Sequence, residues 1–351
     1  MCLNIDGLPD LNKDPWPDKI TWVCERILQH HIVVLTETRT NDLFKLLQFV
    51  DMSHSVIAHS HVEVTGKRGQ GVAVLAARQL AENASVLDIS HNMCWIKVKK
   101  DFFGFDDDFV LGAVYVNPQS ESFQTHEISE CFFDVFDQLQ AALQQSSYVM
   151  LCGDFNAHIG LLDEVTVDYF DLLNAFPHLS RPRLSETPHR VNHAGHVFIE
   201  MLATAQCLTT TGRVHGDWGQ PTYIGYSGNR ASTRPDHVVV SPALFPCISD
   251  CSIIAPPCRE SDHCVLSVNM DVKNFNTNVR MDLQTQHVCK PGGCGECLRL
   301  NWKPEHAGSY VEQLLSDERL QHQFQSSVDA GDVDAACSLF RTWIVQAAGG
   351  E

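Results

Sequence analysis

Asp154 and Asn156, in the stretch Gly153-Asp154-Phe155-Asn156-Ala157-His158, follow directly on the apolar run at 148–152. A short apolar run ended by turn formers predicts a buried strand. On extended backbone a spacing of two puts both side chains on one side. An acid and an amide aimed together off a strand end suit holding a water and a phosphate oxygen. Gly, Asp and Asn are equally the residues of an ordinary turn, so the stretch gains its meaning from others like it. Asp6, two residues past Asn4, follows the apolar residues 2–5, and Glu37 closes the β-branched run 32–35. Asp236 heads the run 236–241, while Asp262 and His263 open the run 264–268. Each acid alone reads as well as a solvated turn residue; five beside buried strands do not. Burying several carboxylates is costly unless a cation neutralises them. Oxygen-only donors favour Mg²⁺ or Mn²⁺ over zinc. His263 suits pairing with one of the acids, which would fix its tautomer and raise its basicity.

The elements that must carry these residues are legible from periodicity. Further strands are expected at 55–59, 71–76, 86–89, 93–99 and 109–116. A helix opens near Asp18, with Ile20, Val23, Cys24, Ile27 and Leu28 on one stripe. Others are expected at 41–49, 122–144 and 197–206. Between the 55–59 and 71–76 strands, Gly66-Lys67-Arg68-Gly69-Gln70-Gly71 reads as a basic hairpin loop; no Lys-Ser/Thr pair opens a helix after it, so it is not a P-loop. Many strands and few helices predict an α/β (α+β) protein, a β-sandwich of two packed sheets flanked by helices.

The composition, 44% hydrophobic and 19% charged over 351 residues, is that of a globular chain. No apolar run approaches the roughly 20 residues needed to span a bilayer, and the opening residues read without a signal peptide. The 14 cysteines are scattered, several within apolar runs, which fits free thiols in a reducing compartment. A net charge of −18 does not promise strong non-specific affinity for nucleic acid. Residues 181–259 differ, with seven Arg (181, 183, 190, 213, 230, 234 and 259) against five acids. The planar fork of Arg suits phosphates, so this region is expected to grip a phosphate backbone through few contacts and weakly.

Asn4-Ile5-Asp6-Gly7-Leu8, Leu35-Thr36-Glu37-Thr38, Tyr115, Gly153 to His158, Arg234-Pro235-Asp236-His237 and Ser261-Asp262-His263 occur in the order found in the endonuclease/exonuclease/phosphatase superfamily, which residues 1–271 resemble. The form GDFNAH, Asn192-His193-Ala194-Gly195 before a helix, and Pro221-Thr222-Tyr223 before Asp236 are most similar to the apurinic-type endonuclease domain of non-LTR retrotransposons. The resemblance implies a four-layered α/β sandwich that cleaves a phosphodiester with a metal. Glu37 would be the main Mg²⁺ ligand (Mn²⁺ being the alternative), with Asn4, Asp6 and Asp262 completing the metal and phosphate site. Asp154 would position or deprotonate the attacking water, Asn156 would orient it, and Tyr115 would hydrogen-bond the phosphate. His263, held by Asp236, would stabilise the transition state. Asn192, Thr222, Arg190, Arg230 and Arg234 are the expected substrate contacts. The implied partner is DNA, weakly bound, together with a reverse transcriptase module outside this chain; the implied location is intracellular, and nuclear for action on genomic DNA.

Residues 272–298 read as a flexible linker, and 299–351 as a helical extension resembling the segment that precedes reverse transcriptase in such elements. Cys294-Gly295-Glu296-Cys297 with Cys289 and His287 could hold zinc, but a single CxxC pair and irregular spacing favour an unmetallated linker. Val333, Ala336, Leu339, Phe340, Trp343, Ile344 and Ala347 form one apolar stripe behind Asp332. Three functions remain open on sequence: a DNA endonuclease of such an element or a domesticated or decayed copy of one, a phosphatase or phosphodiesterase acting on lipids or small phosphoesters, and an inactive remnant.

Overall fold

The computed structural model describes residues 1–7, 17–41, 53–60, 71–117, 125–165, 173–174, 176–225, 231–256, 261–272, 317–330, 332, 335–336 and 339–340. The chain divides into two compact units, Met1–Met281 and Asp282–Glu351. In the first, one sheet contains β1 (Cys2–Asn4), β2 (Ile32–Thr36), β3 (His54–His59), β4 (Val72–Ala77), β11 (Ile248–Ile254) and β12 (Val265–Met270), ordered β11-β12-β1-β2-β4-β3. The other contains β5 (Ala84–Ile89), β6 (Met93–Val98), β7 (Phe109–Tyr115), β8 (Tyr148–Asp154), β9 (Leu208–Thr209) and β10 (Asp236–Val240), ordered β5-β6-β7-β8-β10-β9. Both sheets are mixed: β1 with β2 and β7 with β8 run parallel, and the remaining pairs are antiparallel.

Strict alternation along the strands builds the layers. Val34, Leu111, Ala113, Met150, Cys152, Val238 and Val240 face the space between the sheets. Their neighbours turn outward and are covered too. Val33 and Leu35 pack on Trp22, Val23 and Ile27 of α1 (Pro17–Leu28). Val110, Val149 and Leu151 pack on Phe132, Leu139, Phe198 and Leu202, from α4 (Thr125–Gln145) and α5 (His193–Ala205). Strands covered on both faces read as continuous apolar runs, which is why they were visible in the sequence. The order helix, sheet, sheet, helix is the expected four-layered sandwich. Short helices α2 (Arg78–Ala81) and α3 (Lys100–Phe103) close two connections, and α6 (Glu318–Asp329) belongs to the second unit.

Two strands escaped the sequence reading, β9 and β11. Helix α5 starts four residues before its expected opening because Asn192 caps it, accepting from Gly195 N at 2.8 Å. All but the first residue of the expected 41–49 helix, the Gly66–Gln70 part of the basic loop, Arg230, Arg259, the His287/Cys289/Cys294/Cys297 group and most of the Trp343 stripe lie outside the described residues. The described cysteines are mostly buried. Among the described residues no helix is long and apolar enough to cross a membrane.

Candidate active site

Strand parity brings the chemistry together. Tyr115 follows Ala113 on the inward face of β7, Asp154 follows Cys152 on β8, Asn4 follows Cys2 on β1, and Asp236 precedes Val238 on β10. Register levels them: Tyr115 lies opposite Asp154, and Asp154 opposite Asp236. Four polar side chains therefore end the inward columns at one end of the sandwich. Gly153 permits this close approach, since a Cβ there would lie 1.8 Å from the Val114 carbonyl oxygen.

Asn4 Nδ2 bridges the two sheets, donating to Glu37 Oε1 (3.0 Å) and to Asp154 Oδ2 (2.8 Å). Tyr115 Oη donates to the same Glu37 Oε1 at 2.9 Å. His263 Nδ1 donates to Asp236 Oδ2 at 2.8 Å, leaving Nε2 4.0 Å from Asp154 Oδ2. Asp236 Oδ2 also accepts from Thr222 Oγ1 at 2.6 Å. Asn156 N donates to Asp154 Oδ1 at 2.9 Å, while its Nδ2 is held by Val116 O at 2.7 Å. Asp6, Glu37, Arg39 and Asn156 have φ between 48° and 54°. Left-handed backbone on non-glycine residues persists only where the surroundings enforce it, and it clusters at functional sites.

The electrostatics follow from burial. Asp154, 1% exposed, is pushed up to about 7 by loss of water and then by the charge of Asp236. Burial opposes the charge on His263, but Asp236 wins and raises the imidazole to about 10. Burial would raise Asp236 as well, yet the imidazolium and the hydrogen bonds from His263 and Thr222 keep it below the ordinary carboxylate range. Tyr115 is driven up by burial and by the charges of Glu37 and Asp154, so it remains a donor. Asp262, half-buried, is raised by loss of water against the pull of His263, with Asp6 and Glu37 adding to the rise. The site thus offers a carboxyl that titrates near neutrality beside a fixed imidazolium.

Three of the expected substrate contacts, Thr222, Asn192 and Arg234, have polar groups engaged within the protein. Thr222 is fully buried and spends its hydroxyl on Asp236. Asn192 braces the loop after β8, accepting from His158 N (2.9 Å) and donating to Asn156 O (2.8 Å). Arg234 is 4% exposed, with Nη1 and Nη2 on Asp217 (3.1 and 2.7 Å), Nε on Asp236 O and Nη1 also on Gln220 O. All three hold other site residues in place. Arg183 and Arg213 are likewise buried, against Glu164 and Asp163. Of the seven Arg, only Arg181 and Arg190 are described as exposed. An Arg met alone in a sequence does not reveal whether its fork is already spent on an inner acid. Arg39 was missed: its Nη2 donates to Glu37 Oε2 (2.5 Å) and to Asp6 Oδ1. The signal was its spacing of two from Glu37.

Among the described residues, one group of acids with a histidine brings its possible ligand atoms close enough to hold a metal ion. Asp154, Asp236 and His263 bring possible ligand atoms within 4.8 Å of one another. There, however, His263 and Asp236 are already bonded to each other. Glu37, Asp6 and Asp262 supply oxygens only, and a cation, the Arg39 guanidinium, already bridges the first two. Oxygen donors of this kind are those a hard divalent ion takes.

The chain belongs to the Endonuclease/Exonuclease/phosphatase family, whose sequence model matches residues 1–263. No curated protein matches it in sequence. Solved structures similar to it include the 3' phosphatase NExo from Neisseria bound to product DNA hairpin, with 18% identity over 77% of this chain and 98% of that one and a TM-score of 0.52. An AP endonuclease from Archaeoglobus fulgidus has 15% identity, the same coverages and a TM-score of 0.52. The endonuclease domain of TRAS1, a telomere-specific non-LTR retrotransposon, has 12% identity over 78% and 97% of the two chains, with a TM-score of 0.47. At such identities the likeness is one of fold. Family membership supports hydrolysis of phosphoester bonds.

Proposed function

We propose that the chain is a Mg²⁺-dependent phosphodiester hydrolase that nicks DNA, the nuclease of a non-LTR retrotransposon or a domesticated copy of one. The observation that carries this reading is the convergence of Asp154, His263 with Asp236, and Glu37 at one end of the sandwich. Asp154, titrating near 7, takes a proton from the attacking water, which Asn156 helps to orient. His263, held charged by Asp236, would face the phosphoryl oxygens, where negative charge grows in the transition state. Tyr115, protonated throughout, steadies Glu37 and has its hydroxyl in the same cleft. Glu37, Asp6 and Asp262, with Asn4 beside them, would hold the Mg²⁺, which supplies charge neutralisation at the phosphate and leaving oxygen. The retrotransposon assignment rests on GDFNAH, the Asn192–Gly195 stretch and Pro221–Tyr223. A reverse transcriptase acting from outside this chain and a nuclear site of action belong to the same proposal.

One observation favours a second reading, a phosphatase or phosphodiesterase of small esters. Three of the Arg expected to grip a backbone are buried in ion pairs, and the net charge is −18. A labelled duplex oligonucleotide and an inositol phosphate, each with Mg²⁺ or with EDTA, separate the two. Strand scission with Mg²⁺ alone supports the nuclease; phosphate release without scission supports the second reading.

A further inference from the structure

Arg39 is the charged residue of the site that the proposed chemistry does not use. Two hydrogen bonds, from Asn4 and from Tyr115, converge on Glu37 Oε1. Glu37 Oε2 faces Asp6, and the Arg39 guanidinium lies on both acids through one nitrogen, Nη2. The contact is built by the backbone. Gly7 N donates to Glu37 O at 2.8 Å, continuing the parallel pairing of β1 and β2 past the strand ends. The Arg39 stem crosses Gly7, where an added Cβ would come within 3.1 Å of Arg39 Cδ. Asp6, Glu37 and Arg39 all hold left-handed φ in this arrangement. The carboxylates and their counter-charge are therefore set by the same two loops.

We propose that Arg39 is a resident counter-cation for the metal-binding carboxylates: it neutralises Glu37 and Asp6 while no divalent ion is bound, and it must leave them for one to bind. The inference rests on reading Glu37 and Asp6 as metal ligands. A small dication that demands close, near-octahedral oxygen ligands cannot share Glu37 Oε2 and Asp6 Oδ1 with a guanidinium. Arg39 and Asp6 are 44% and 47% exposed, so solvent weakens the contact and the side chain has room to swing away. Arg39 thus lowers the apparent affinity for Mg²⁺, and in exchange it keeps the acids from repelling one another in the metal-free chain.

Calorimetric titration of the full chain with Mg²⁺ tests this, with Glu37→Ala as the control. Arg39→Gln leaves the stem over Gly7 and removes the charge; it should bind Mg²⁺ about fivefold more tightly, the scale of an exposed ion pair. Arg39→Lys, which keeps the charge, should stay near wild type. In chelator, Arg39→Gln should melt below wild type, and Mg²⁺ should raise its melting temperature by more. Equal or weaker Mg²⁺ binding by Arg39→Gln, with Glu37→Ala inert, would overturn the role of Arg39 alone. Undiminished Mg²⁺ binding by Glu37→Ala would overturn the ligand assignment and the inference with it.

Discussion

In the proposed role Asp154 has to be buried to face the cleft and ionised to take a proton, and these demands conflict. Its carboxyl is raised to about 7 in the fold from an ordinary value near 3.8. As a raised acid it contributes stability that is present below about pH 4 and lost as pH climbs through 7. Asp154→Asn should therefore flatten this loss and melt higher than wild type at pH 8. Because the base form accumulates only above its pKa, kcat/KM should climb with pH up to about 7 and then level. The Asn variant should lose on the order of 100-fold or more in turnover, as for a missing general base. A variant that melts lower at pH 8 and keeps its turnover would remove Asp154 from the role. Asp154, Asn4 and Asp236 were legible because each lies at the end of an apolar run on an inward-facing position, so parity aims them, and His263 because it opens the run that becomes β12. Arg234 was not: removing its charge by Arg234→Met should leave Asp217 unpaired and destabilise the fold by about 3–5 kcal/mol, whereas Arg190→Ala should leave melting unchanged. On DNA, Arg190→Ala should instead weaken binding alike on all sequences and lower the salt slope by about one.

Among the elements, the turn after β8 shows how a motif becomes geometry. Gly153 lets β8 lie against Val114, and Gly195 lets α5 press on His158, whose carbonyl oxygen would be 2.0 Å from a Cβ at that position. Between them Asn192 caps α5 and ties down Asn156 and His158. Asn192→Ala should cost about 1 kcal/mol as a cap alone, and should lower turnover by loosening the loop that carries Asn156. Thermal melting and single-turnover rates would check this; a rate unchanged at reduced stability would leave Asn192 a cap only. The covered strands were readable because both faces are apolar. Strand β11 was not: it lies at a sheet edge, its buried Ile248 and Cys251 are split by Ser249 and Asp250, and its register slips between Ile248 and Asp250. A bulge of that kind breaks the period of two. Strand β9 has two residues, too few to show any period.

For the chain as a body, the sandwich closes with β12 at Met270, well before the end of the sequence. A chain ended at Val272 should melt and cleave like the full protein, and aggregation of that shorter chain would assign part of residues 317–340 to the core. The zinc question sits downstream at Cys289, Cys294 and Cys297, where stoichiometric zinc in the purified full chain would replace the linker reading with a metal knuckle. On the nuclease reading, the net charge and the spent arginines predict weak DNA binding, so catalysis and not affinity is the informative assay. Supercoiled plasmid incubated with wild type in Mg²⁺, with wild type in chelator, and with Asp154→Asn in Mg²⁺ supplies it. Open-circular product in the first reaction only is the expected result; nicking that survives the chelator or the Asn substitution, or no nicking alongside rapid phosphate release from a small ester, would contradict the nuclease.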